Sequence, residues 1–246
     1  MCCFSQQVEV SQTQIFARMG ARGRQMLAYQ MQFESLGAVA MVLPLPTPPR
    51  SSEDAVRFIS LEAYPDLFDD LFRIFHPPSR AGGAMKSTMA FALAVHVVGD
   101  FIASFVPSLA DFSRLDARFR MPAGTLDKIP ELADWGFAVF QLHATKGASK
   151  PHPMAFEFPS RDETRLFFPT LHVHDGALHA DAEFDHTLYA QGVDQLRTFT
   201  TSQHELGPII AQRSGGVLDG KAKISRRAMS GTLPNKDTWF TLLDAR

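Results

Sequence analysis

The sequence predicts an α+β protein: mainly antiparallel sheet, two or three helices packed on it, and an extended C-terminal tail. Three observations carry this expectation. Alternating and continuous apolar runs of strand length recur along the chain. Two amphipathic stripes of helical period follow Pro65 and Pro107. From about Gly207 the chain becomes rich in Gly, Ser and Arg, with Trp239, Phe240 and Leu242-Leu243 as its main apolar residues. The expected organisation is one α+β domain over 1–206, with two related halves of about 1–80 and 87–206 as the alternative division, and a tail over 207–246. The halves rest on a strand–proline–helix pattern that occurs twice.

Residues 8–16 and 25–33 flank a turn at 20–24 and read as an antiparallel pair. In the second strand Met26, Ala28, Gln30 and Gln32 alternate with Leu27, Tyr29, Met31 and Phe33. The run 38–45 is apolar at nearly every position, as a strand buried on both faces would be, and Pro44 and Pro46 end it. Pro65 opens a helix in which Leu67, Phe68, Leu71, Phe72 and Phe75 form one stripe opposite Asp69, Asp70 and Arg73. A Pro/Gly linker (76–86) and an apolar strand (91–106) follow, then a helix capped by Ser108 with Asp111 three residues on. Leu109, Phe112, Leu115 and Phe119 supply its buried stripe until Pro122. Strands are expected over 136–143 and 153–158.

Composition bounds the function. Hydrophobic residues make up 45% and charged residues 20% of the 246, with a net charge of −2. No basic block offers an electrostatic footprint for nucleic acid or an anionic membrane. The longest apolar run, 89–98, is broken by His96 and is too short to span a bilayer. With no basic n-region and apolar h-region at the start, a cytoplasmic location is expected.

The two cysteines, Cys2 and Cys3, are adjacent, a spacing that strains a disulfide. They read as thiols, ligands or nucleophiles, with packing as small hydrophobes the plain alternative. If Met1 is removed, Cys2 carries an amine and a thiol on adjacent carbons, able to chelate or to act as an N-terminal nucleophile.

The chain's densest chemistry lies at 171–181, where three of nine histidines fall within eight residues around Asp175-Gly176. A two-residue hairpin there places His172, His174, His179 and Asp181 on one face, with Val173 and Leu178 on the other. Same-face imidazoles two residues apart, about 7 Å at Cβ, converge on one ion, and a third across the ladder leaves a fourth position open. This points to a mononuclear transition metal, copper first, with zinc or iron as alternatives. The competing interpretation is a solvated sheet face. Asp181 is a ligand or fixes a histidine tautomer. His186 falls on the apolar side and ranks second as a ligand. His143 ends a strand. Glu157 and Asp185 are acid/base candidates only if they border the same pocket.

The segments Cys2-Cys3-Phe4, Ile15-Phe16-Ala17-Arg18 and Val42-Leu43-Pro44-Leu45-Pro46 resemble those of a bacterial family known only as a domain of unknown function. Its members begin their mature chains with a Cys-Gly-Gly-Phe-like segment and carry a Leu-Pro-Val-Pro element. Val98-Gly99-Asp100-Phe101 and Gly136-Phe137-Ala138-Val139 are similar in order and spacing. The resemblance covers about the first two-thirds of the chain and implies no chemistry. It departs in the absent signal segment and in the histidine cluster.

The functional expectation is a metalloprotein, a metal-dependent oxidoreductase if catalytic, acting on an unspecified small molecule or receiving metal from a donor. The alternatives are a hydrolase using Cys2 as its nucleophile and a non-catalytic metal carrier or sensor. Nucleic acid and membrane are not expected partners.

Overall fold

The computed structural model describes residues 2–35, 37–77, 101–115, 126, 129–143, 147–175, 177–193 and 198–242, with the backbone alone for Cys2. In chain order the strands are β1 (Cys2–Phe4), β2 (Glu9–Met19), β3 (Arg24–Glu34), β4 (Val39–Leu45), β5 (Arg57–Ile59), β6 (Ile102–Val106) and β7 (Gly136–Leu142). They continue as β8 (Met154–Pro159), β9 (Arg165–Phe168), β10 (His172–Val173), β11 (Asp181–Ala190), β12 (Thr200–Glu205), β13 (Lys223–Pro234) and β14 (Thr238–Thr241). The α-helices are α1 (Leu67–Phe75) and α2 (Pro208–Arg213).

Two large sheets hold most of these strands. One runs β10-β1-β4-β7-β6 and the other β12-β13-β11-β2-β3-β8-β5, while β14 and β9 pair separately. All neighbours are antiparallel except β1 with β10 and β2 with β11.

Period-two alternation builds the core. On β3, Leu27, Tyr29, Met31 and Phe33 join Ile15 and Ala17 of β2 and Phe156 and Phe158 of β8 in the main cluster. Every position of β4 and β7 is buried, so the five-stranded sheet is covered on both faces at its centre. Pro44 is accommodated within β4 because β1 registers only with Met41 and Val42. The opposite face of the seven-stranded sheet presents Phe16, Ala28, Ala155 and Tyr189, which pack against Leu67, Phe68 and Leu71 of α1. Gly23 closes the β2–β3 turn with φ +65°, a left-handed conformation that favours glycine.

The strand pair 8–16/25–33, the run at 38–45 and the Leu67, Phe68 and Leu71 part of the α1 stripe match the sequence expectation. The α+β balance does not. Strands dominate, and the α-helices among the described residues are only nine and six residues long. The helix expected after Ser108 is a 3-10 segment, Leu109–Arg114, where Ser108 Oγ donates to Asp111 Oδ2 at 2.7 Å. That side-chain bond takes up the cap residue, and no cap bond to the helix backbone forms. The C-terminal tail is also corrected. Its residues form α2, β14 and the twelve-residue β13, which pairs with all ten residues of β11. Most of the linker (78–86), the run 89–98, the strand over 91–100 and the end of the helix at 116–119 lie outside the described residues. No helix among the described residues is long and apolar enough to cross a membrane.

Candidate functional site

A cleft of about 540 Å³ opens where the β10 edge of one large sheet meets β11 and β2 of the other. Its lining includes His172, His174, His179 and His186, and four carboxylates from Asp175, Asp181, Glu183 and Asp185.

The expected hairpin does not form. His172 and Val173 pair in parallel with Cys2 and Cys3, whereas 181–190 belongs to the other sheet. The turn chemistry survives locally, since Asp175 Oδ1 accepts from the Ala177 N–H at 3.0 Å. What replaces the hairpin ladder is a side chain. Asn235, just past β13, accepts the His172 N–H at 2.7 Å and donates Nδ2 to the carbonyls of His172 (2.9 Å) and His179 (3.1 Å). No motif around Asn235 announces this role, and the sequence reading missed it.

The crossover regroups the histidines. His172 Nε2 lies 2.9 Å from His186 Nε2, a hydrogen-bonded imidazole pair that spans the two sheets. His174 stacks on His172 at 4.8 Å between centroids, and the His186 ring lies 4.7 Å from that of His172 and nearly parallel to it. Phe184 packs on His172 at 4.5 Å, and Phe4 meets His174 edge-on. His179, opposite His172 in the expected register, is instead exposed and bonded to Asp175 at 2.8 Å. Asp181 is exposed at the start of β11. His186, placed second from sequence, is the most buried member at 3% exposure.

Electrostatics follow this burial. Burial first, then His186 and His174, lowers the His172 pKa to about 2. Burial likewise lowers that of His186, against the opposing pull of Asp185. Both rings are therefore neutral at pH 7. Asp185 Oδ1 lies 3.7 Å from His186 Nδ1, a long polar contact. Its other oxygen accepts the Gln12 N–H at 2.5 Å, holding the bulge in β2 where Gln12 has φ +52°. The Asp185 carboxyl is held below its ordinary range, chiefly by His186.

Of the remaining candidates, Cys2 is the backbone partner of His172, while the Cys3 side chain is buried in the main core. Glu157 lies apart from the cleft, where burial raises its pKa but Arg57 and Arg24 together hold it below the usual range. His143 is exposed at the end of β7.

The metal and oxidoreductase reading loses its support. Among the described residues no group of three or more His, Cys, Asp and Glu side chains is placed to hold an ion. The physical reason is the regrouping. His179, expected opposite His172, is turned out to Asp175, and His172 Nε2 engages His186 Nε2 instead.

No family model and no curated protein matches the chain. Among solved structures, baculovirus P35 aligns over 96% of this chain and 98% of its own, at 14% identity and a TM-score of 0.55. The fold resembles that of baculovirus P35. Two further P35 structures align at a TM-score of 0.47 and 14% identity. One is a mutated P35 after caspase cleavage, covering 95% of this chain and 100% of that one. The other is the caspase-8/P35 complex, covering 95% and 97%. A P35-like, strand-dominated architecture thus stands in place of the expected helix-packed sheet.

Proposed function

We propose that this chain is a protein-binding module whose partner is a caspase-type protease. One observation carries the reading: the likeness to P35 runs through nearly the whole of both chains, so what is shared is a complete architecture rather than a common sheet motif. A mutated P35 has been solved after caspase cleavage, and P35 in complex with caspase-8. Fold alone does not specify function, and the reading therefore stands or falls on binding.

The cleft fits this reading better than a small-molecule enzyme. Its two innermost imidazoles are neutral and bonded to each other, and three of its four carboxylates are drawn into local contacts with His179, Thr232 and the Gln12 backbone. These groups order the junction of two sheets. Such a junction supports a rigid binding scaffold.

The test is to mix purified chain with active caspase-8, resolve the mixture by size exclusion and weigh both fractions by intact mass. Co-elution of the two proteins is expected, and the mass shows whether and where the chain is cut. Separate elution of two intact proteins at about 10 µM each, a concentration at which a micromolar complex is well populated, contradicts the proposal.

A further inference from the structure

We propose that His172 and His186 form a pH-sensitive clasp between the two large sheets, which opens on acidification and loosens β10. The inference is independent of the protease reading. It starts from position: His172 sits on the edge strand of the five-stranded sheet and His186 within the seven-stranded sheet, joined through their Nε2 atoms at 2.9 Å. A neutral pair makes this bond with one Nε2–H donating to the other Nε2 lone pair. The first added proton can be shared across the bond. A second puts N–H on both facing nitrogens and turns attraction into repulsion.

The surroundings resist protonation of the closed pair. His174 stacks on His172, and Phe184 covers it from β11. Burial lowers both pKa values, and His174 acts in the same direction on each. Among the acidic groups of the cleft, Asp185 lies 3.7 Å from His186 and opposes the shift without overcoming it. Asp175 is engaged by His179, Glu183 accepts from Thr232, and Asp181 is exposed at the far end of β11.

Once separated, the imidazoles regain an ordinary value near 6.5. The sign follows directly: the open form binds more protons, so closing is favoured above pH 6.5 and progressively lost below it. At about pH 5, each ring that must shed its proton to close costs about 30-fold in the closing equilibrium. The element that yields is β10, two residues long, held by β1 and by the Asn235 amide.

Hydrogen exchange of the full chain at about pH 7.5 and about pH 5, corrected for intrinsic chemistry, tests the clasp. Peptides over 170–175 are expected to lose protection by about 30-fold or more, while β3 and β8 keep theirs. His186→Gln and His172→Gln, which retain a hydrogen-bonding amide and cannot titrate in this range, should each blunt that pH dependence. Unchanged protection of 170–175 in the wild type overturns the proposal. So does an equal loss across β3 and β8, or a full pH response in both glutamine variants. If neither variant folds, the wild-type comparison of 170–175 with β3 and β8 decides alone.

Discussion

Asn235 joins three backbone segments through one carboxamide, accepting from His172 N–H and donating to the carbonyls of His172 and His179. It is 8% exposed, so its loss strands those groups with little access to water. Asn235→Ala is expected to cost roughly 2–4 kcal/mol, read as a shift in the denaturant midpoint at constant m-value. Gln25 makes a similar link elsewhere, bonding both its amide ends to the Phe167 backbone and tying β9 to β3. Glu157 works by charge instead. Arg57 and Arg24 lie 2.5 and 3.0 Å from its carboxylate and hold its pKa down. A depressed carboxylate stabilises the fold above its unfolded value, 4.5, and loses that contribution as pH falls through the lower folded value. Glu157→Gln should therefore cost about 0.5–1 kcal/mol at neutral pH, with the gap from wild type closing below pH 4.5. A gap that widens on acidification would show that the ion pairs are not its source.

At the scale of elements, α1 shows both the reach and the limit of periodicity. The stripe Leu67, Phe68, Leu71 was legible because it recurs at helical spacing, and these residues are fully buried. Phe72 belongs to the same apparent stripe yet is 43% exposed, stacked on His76 and meeting the sheet at the Arg226 guanidinium, 5.9 Å from its ring. Leu71→Ala is accordingly expected to cost about 2–4 kcal/mol. Phe72→Ala should cost less than about 1 kcal/mol, and chemical denaturation of the two variants compares the faces directly. The same contrast explains the histidine segment. Asp175-Gly176 carries real turn chemistry, but a turn signal fixes only what lies beside it. β11 finds ten partners on β13, 35 to 53 residues away, and β10 finds its own at the amino terminus. Parallel pairings such as β1–β10 and β2–β11 leave no local signature, since their partners are set by the path of the whole chain. Hence the alternation of β3 and the apolar run of β4 could be read from sequence, whereas the meeting of His172 with His186 could not.

At the scale of the molecule, two large sheets and a short two-stranded one carry the fold. One main core includes residues of both large sheets, and a second, smaller cluster lies under α1 on the outer face. The low apolar content beyond Gly207 suggested a tail because β13 is largely exposed on its side chains while fully engaged through its backbone. Hydrogen bonding, which composition does not reveal, placed it in the sheet. The resulting architecture resembles that of baculovirus P35 along nearly its whole length, and the proposed partnership with a caspase follows from that likeness. The measurement that addresses it most directly is a titration of fluorescently labelled caspase-8 with the purified chain, read by anisotropy. Anisotropy should rise to saturation as protein is added, with an apparent affinity of about 1 µM or tighter. Unchanged anisotropy in the presence of about 10 µM folded protein would contradict the partnership.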